Sequence, residues 1–340
     1  MRLLQMLGAK GTGGAEAFFV KLARAFAGAG IEQKILLRAH GEREEAFSRA
    51  KIPCETAPFE TWTDFGRTSR KLQKIVAEFR PDVALSFMSR ASMYMPDGPH
   101  LKVGRIGGYY DIKYFKRCDQ LVCNTPGLVR HMVQQGWPED RTHLIWNFTE
   151  VSSAAPMDRA LFDTPETVPL ILIPARLHRV KGIDTALSAL AEVPEAYLWI
   201  AGEGGERQAL EQLSEELGVS ARTRFLGWQE NVGALLKAAD IVLLPSREEP
   251  FGNVNIEAWA YGKPLVTTAT EGSTSLVRPG DDALMVEIDR ASEMASALRQ
   301  LIEDKSFATA LVEAGHARFE ADFTAEKCVA SYLEHFERTL

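Results

Sequence analysis

The sequence predicts an α/β protein of two domains, each a parallel sheet with helices on both faces. Three observations carry this expectation. The chain has 340 residues, more than one core usually organises, so two domains of roughly 150 to 200 residues are the default. Short apolar runs alternate with amphipathic stretches along most of its length, the pattern of repeated βα units. The alternation breaks once, between Thr149 and Val168, in a polar, proline-bearing segment.

The elements follow in order. Residues 3–7, 34–37, 83–88, 120–124 and 143–147 are apolar runs bounded by loops and helical segments, and they read as buried strands. They place a first domain at residues 1–150. Residues 151–167 lack sustained periodicity and read as a linker. A second domain, residues 168–323, restarts the alternation with strands at 169–174, 197–201, 241–244, 265–267 and 283–286. In the last segment, residues 324–340, Val329, Tyr332, Leu333 and Phe336 recur at helical spacing, which predicts a helix packed on a domain surface. Ligands of such sheets bind outside the carboxyl ends of the strands. Two such domains facing one another make the cleft the expected site.

Composition narrows the function classes. Hydrophobic residues at 46% and charged residues at 25% exclude a disordered chain. No apolar run approaches the roughly 20 residues that span a bilayer, and residues 1–7 are too short a run for a signal peptide, so a cytoplasmic protein is expected. Cys54, Cys118, Cys123 and Cys328 show no CxxC spacing, which points to neither a zinc site nor a disulfide framework. The net charge of −7 is uneven: residues 1–150 hold 22 Lys and Arg against 16 Asp and Glu, and the remainder 17 against 30. A basic first half suits an anionic membrane surface or an acidic acceptor, and an incidental imbalance on a solvated surface accounts for it equally well. No nucleic-acid partner is expected. Phe59, Trp62 and Phe65 precede Arg67, Arg70, Lys71 and Lys74, with Leu72, Ile75, Val76 and Phe79 at helical spacing. That arrangement fits a peripheral contact with the inner face of a membrane, and it fits a helix packed on its own sheet.

Three segments can carry chemistry. Gly11-Thr-Gly-Gly-Ala-Glu16 follows the first strand and opens a helix, where Gly13 and Gly14 suit either a phosphate contact or a simple tight turn. Arg176-Leu-His-Arg-Val-Lys-Gly182 follows a strand of the second domain. Arg176 and Lys181 are placed there to neutralise a diphosphate, with His178 between them as a loop histidine. In Pro245-Ser-Arg-Glu-Glu-Pro-Phe-Gly-Asn-Val-Asn-Ile-Glu-Ala-Trp-Ala-Tyr-Gly-Lys-Pro264 a strand gives way to a helix expected to start near Asn253, capped by its side chain, and to stop at Gly262. The amides of Phe251, Gly252 and Asn253 would then face a leaving phosphate. Glu249 would lie beside the group attached to it, and Glu257 deeper, within reach of a ribose. A salt-bridged surface turn explains the acidic pair as well as a ligand does.

The spacing of Glu249 and Glu257, with Phe251-Gly252 between them and Tyr261-Gly262-Lys263-Pro264 following, resembles the signature of family 4 retaining glycosyltransferases of the GT-B fold. Gly13-Gly14-Ala15-Glu16 is similar to that family's amino-terminal glycine loop, and Arg176 with Lys181-Gly182 to its phosphate-binding pair. Gly202-Glu203-Gly204 and Arg224-Phe225-Leu226-Gly227 fall where the family has a glycine turn and the strand beside the base. The resemblance implies two Rossmann-like domains across a cleft, with the last helix crossing back to the first. It also implies a nucleotide-sugar donor, uridine diphosphate being the expected nucleotide, while the basic first half and the aromatic-basic stretch at 59–79 suggest a lipid-linked or envelope glycan acceptor such as lipopolysaccharide core. Arg176 and Lys181 would hold the diphosphate, Glu249 the sugar and Glu257 the ribose, with Gly202 and Leu226 at the nucleotide. Two departures stand out. Ser275 occupies a position where the family commonly has glutamate. In 105–112 no residue matches the family's first-domain histidine, which leaves Asp111, beside Tyr109 and Tyr110, as the candidate contact to acceptor or sugar. No cofactor and no metal are expected, since two cations and a helix N-terminus can take the charge of the diphosphate. A sugar-nucleotide epimerase of the same fold and a non-catalytic nucleotide-sugar-binding subunit are the alternatives.

Overall fold

The computed structural model describes residues 1–11, 13–60 and 64–340. They form two compact units, Met1–Asn147 with Ala325–Leu340 and Phe148–Thr324. Unit 1 holds β1 (Arg2–Leu7), β2 (Glu32–Leu37), β3 (Cys54–Thr56), β4 (Val83–Phe87), β5 (Leu101–Ile106), β6 (Gln120–Cys123) and β7 (Thr142–Leu144). They form a parallel sheet in the order β3-β2-β1-β4-β5-β6-β7. Its helices are α1 (Gly14–Gly28), α2 (Gly41–Arg49), α3 (Arg67–Phe79), α4 (Met88–Met93) and α5 (Pro126–Gln134). Leu3, Leu4, Met6 and Leu7 are all inaccessible, as in a parallel strand covered on both faces, and the polar Gln5 among them is buried with its Nε2 donating to Gln33 Oε1 at 2.5 Å.

Unit 2 repeats the plan with β8 (Leu170–Pro174), β9 (Tyr197–Ala201), β10 (Thr223–Gly227), β11 (Ile241–Leu244), β12 (Leu265–Thr268) and β13 (Leu284–Val286), in the parallel order β10-β9-β8-β11-β12-β13. Its helices are α6 (Ile183–Ala191), α7 (Arg207–Glu216), α8 (Val232–Ala238), α9 (Asn253–Ala260), α10 (Glu271–Leu276), α11 (Ala291–Glu303) and α12 (Lys305–Asp322). The strand order reverses between β8 and β11, so the loops leaving those strands border the crevice where such sheets take ligands. The last helix, α13 (Ala325–Thr339), belongs to unit 1. Its Tyr332 and Phe336 rings lie 5.6 and 6.4 Å from that of Phe26 on α1.

Two expectations need correction and one narrows. The segment read as a linker is strapped onto unit 2. Arg159, 7% exposed, donates from Nε to the Ala238 carbonyl at 3.1 Å and pairs with Asp240 at 3.0 Å, while Trp199 Nε1 donates to Thr164 Oγ1 at 2.9 Å. Side-chain hydrogen bonds and an ion pair hold it instead of a periodic apolar face, so it has no period to read. Of the two readings of residues 59–79, the apolar side follows the packed one: Phe59, Leu72 and Ile75 share one buried cluster with Leu4 and Met6. Lys71 pairs with Glu55 at 2.9 Å, and Phe65 alone of the named aromatics is exposed among the described residues, Trp62 lying outside them. Finally, two strands lie outside the expected apolar runs: β3 has three residues, and Lys102 and Arg105 interrupt the apolar run of β5. Among the described residues no helix is long and apolar enough to cross a membrane.

Candidate functional site

Two loops border the crevice of unit 2: residues 175–182 after β8 and residues 245–252 after β11. The first is fixed from both sides. Leu177 N donates to Glu203 O at 2.9 Å, and Arg247 N donates to Val180 O at 2.7 Å. Backbones approach so closely that a Cβ on Gly202 would collide with the Ala175 carbonyl, and one on Gly182 with the Pro245 carbonyl. Glycine is required at both positions by this contact.

Within this frame Lys181 Nζ and Glu249 Oε2 form an ion pair whose side chains are 16% and 17% exposed. The sequence reading gave these residues to different parts of a ligand; the structure puts them in direct contact, across 68 positions of chain. Ser246 Oγ donates to the same carboxylate oxygen at 3.4 Å. Arg176 is exposed and has no ion pair or side-chain hydrogen bond among the described residues. His178 is a turn cap, its Nδ1 accepting from Val180 N at 3.3 Å.

Arg247, which sequence reasoning did not single out, braces this loop. Its Nη2 lies 2.7 Å from Asp184, its Nε 2.7 Å from Asp289, and its Nη1 donates to Arg179 O at 2.6 Å. Burial works to raise the Asp184 carboxyl, but the bond from Arg247 and its charge outweigh it and hold that group below its ordinary value. The available signal was an arginine three residues past a strand end. A fork of this shape can brace two carboxylates and a carbonyl at once.

The helix after the second loop has its cap one residue earlier than expected. Gly252, at φ +82°, is the N-cap of α9, and Asn253 is the first helical residue, so it cannot cap with its side chain. A left-handed residue here turns the chain into the helix, and glycine takes that conformation without strain. Phe251 is 4% exposed, and Gly272 N donates to Glu249 O at 2.9 Å, pinning the loop to the start of α10. The first turn of any helix presents N–H groups without intrahelical acceptors. Glu257 lies one turn further into α9, and its charge adds to burial in raising the Tyr261 hydroxyl. Leu226 sits at the register shift between Phe225 and Gly227, beside the bridge from Gly227 to Gly202. Arg176, Lys181, Gly202, Leu226, Glu249, Phe251, Gly252, Asn253 and Glu257 thus share the carboxyl side of one sheet.

Gly13, Gly14 and Asp111 belong to unit 1. Gly13 caps α1 without a side chain, and the loop before it is held by Arg43, which donates to the carbonyls of Ala9, at 2.9 Å, and Gly11. A Cβ on Gly13 would lie 2.8 Å from Glu16 Oε2, so this helix start already faces a carboxylate of its own. Asp111 is exposed and caps the turn Ile112–Phe115, accepting from Lys113 N at 2.8 Å and pairing with Lys113 Nζ at 2.8 Å. Those bonds hold its carboxyl below the ordinary value.

A family model described as glycosyl transferases group 1 matches residues 157–318. The lipopolysaccharide core biosynthesis glycosyltransferase LpsE of Rhizobium meliloti is 37% identical over 326 residues, 95% of this chain and 95% of that protein. LpsD of the same organism, also a lipopolysaccharide core biosynthesis glycosyltransferase, is 33% identical over 328 residues, 96% of this chain and 95% of its own. The crystal structure of Anabaena HepE in complex with UDP and glucose has a TM-score of 0.86 at 20% identity, covering 99% of this chain and 100% of that one, a likeness of fold. With identity of this level along nearly the whole chain, the protein belongs to the group 1 glycosyl transferases and is a glycosyltransferase of the GT-B fold.

Proposed function

We propose that the chain is a retaining family 4 enzyme that moves a sugar from a UDP-sugar to a glycan or lipid-linked acceptor in lipopolysaccharide core assembly. The named activity of LpsE and LpsD supports the pathway, and the UDP held by HepE supports the nucleotide. The observation that carries the residue roles is the Lys181–Glu249 pair at the reversal of strand order. The bond from the anomeric carbon to the diphosphate oxygen breaks with its electron pair going to the diphosphate, and the acceptor hydroxyl oxygen replaces it on the same face, its proton passing to the departing diphosphate. Arg176 and Lys181 neutralise the departing diphosphate together with the first turn of α9. Glu249 keeps Lys181 in place before the donor arrives and contacts the sugar afterwards, and Glu257 accepts from the ribose hydroxyls. Holding donor and acceptor in one geometry supplies much of the acceleration.

A panel of nucleotide sugars screened by thermal stabilisation identifies the donor, since a ligand at about 100 times its Kd adds about 2.7 kcal/mol to the native state. Transfer to a lipopolysaccharide core acceptor is then assayed with wild type and Glu249→Ala. Loss of about a hundredfold or more in kcat/KM is expected. Undiminished transfer by the variant would remove Glu249 from the mechanism, and stabilisation by no uridine nucleotide would overturn the choice of donor.

A further inference from the structure

Arg105, at the carboxyl end of β5 in unit 1, is a cation without a counter-charge. It is 2% exposed, and no carboxylate lies within ion-pair distance among the described residues. Glu16, whose charge together with that of Arg105 acts on the Tyr110 hydroxyl, makes no ion pair with it. The hydrogen-bonded partner of the guanidinium is the Asn147 side-chain oxygen, which also accepts from Asn124 Nδ2 at 3.3 Å. Phe18 and Phe87 offer their ring faces at 4.3 and 5.1 Å, which recovers part of the cost of removing the cation from water. The cluster stays unsatisfied: Arg105 Nε and Asn124 Oδ1 have no hydrogen-bond partner, and the Tyr332 hydroxyl beside the guanidinium brings no charge. A buried charge with neutral partners alone is unfavourable, and an apolar side chain of similar size would serve packing better.

The opening to this cluster is Gly107. A Cβ there would lie 3.2 Å from Arg105 Nη1 and 4.0 Å from Asn124 Nδ2, so the missing side chain leaves room for a ligand atom over two N–H donors. Gly107 itself is half-buried, next to the exposed Tyr109.

We propose that Arg105 and Asn124, reached over Gly107 and oriented by Asn147, form an oxyanion subsite for a phosphate or carboxylate carried by the acceptor. This rests on the transferase reading above, with unit 1 holding the acceptor. An oxyanion over Gly107 would supply the charge that Arg105 lacks and accept from Nη1 through a charge-assisted bond.

The test uses full-length wild type, Arg105→Met and Gly107→Ala, the second variant keeping the cation and covering it with a methyl group. Inorganic phosphate and acetate are titrated against each protein by thermal shift, and KM is measured for the native core acceptor and for the same acceptor after phosphatase treatment or carboxyl reduction. UDP affinity is the control. The proposal expects a phosphate- or acetate-dependent rise in Tm for wild type that both variants lose. It expects Arg105→Met to melt no lower than wild type without ligand, since an uncompensated charge has gone. Acceptor KM rises about tenfold to a hundredfold in both variants, with UDP affinity within about twofold. Whichever modified acceptor already shows the raised KM with wild type identifies the oxyanion, and a response to free anions with both modified acceptors unaffected would place the source off the acceptor and overturn that assignment. A lower Tm for Arg105→Met with unchanged acceptor KM would make the guanidinium a packing element and sink the proposal. Absence of UDP binding by wild type would instead count against the proposed function.

Discussion

Replacing Arg247 with methionine tests whether the donor loop is positioned by side-chain bracing. The substitution keeps much of the aliphatic stem and removes the fork that reaches Asp184, Asp289 and Arg179 O. The two carboxylates are 45% and 53% exposed, so screening holds each ion pair to about 0.5 kcal/mol. The bond to the Arg179 carbonyl and the weaker one to Thr185 Oγ1, at 3.3 Å, add about 1 to 2 kcal/mol together. A loss of about 2 to 3 kcal/mol follows, and for a unit of this size that lowers Tm by about 4 to 12 °C. Arg247→Lys restores one pair at most, because a point charge cannot bridge three acceptors. Calorimetry gives the Tm, and titration with UDP reports the loop: affinity falls about tenfold in both variants if Arg176 and Lys181 depend on the brace. A reduced Tm with UDP affinity unchanged would show that the backbone bonds from Glu203 and Arg247 suffice to hold the loop, and the positioning argument would be refuted.

Gly182→Ala is expected to cost more than about 3 kcal/mol, since its φ of +61° and the Pro245 carbonyl both oppose a Cβ, whereas Gly280→Ala, at φ +80° with open space around it, costs about 1 kcal/mol. Equal losses in urea denaturation would remove the close approach from the account. His335 is 8% exposed, its ring is 4.1 Å from that of His143, and burial first, then His143 and Arg338, push its pKa down to about 4. With a depressed folded value, its contribution is present above the unfolded value of about 6.5 and is lost as pH falls toward about 4, a change of about 3 kcal/mol. His335→Phe should flatten the melting profile across that window, and an unchanged slope would assign the acid sensitivity elsewhere. Transfer should persist in EDTA, because two cations and a helix start are assigned to the diphosphate; activity that returns only with added divalent ion would overturn that assignment.

Local signals made most of the architecture legible. The strand runs of both units, the return to helix after Ala325 and the glycine punctuation at Gly182, Gly202 and Gly252 follow from period and turn chemistry, which depend on near neighbours in the chain. The donor-loop motif with its two glutamates was readable for the same reason. Other features depended on partners far along the chain. Lys181 meets Glu249, and Arg247 meets Asp184 and Asp289, through the packing of βα loops. The residues read as a linker carry their order in Arg159 and Thr164, whose partners lie at the end of α8, just before β11 and in β9. The order of apolar and polar residues along the sequence determined that the chain would fold into two parallel βα units, because apolar patterning decides which segments must be covered. Only the tertiary structure decided which charges are paired and which, like Arg105, are enclosed without a counter-charge, because that depends on the side chains a fold brings within about 4 Å of one another.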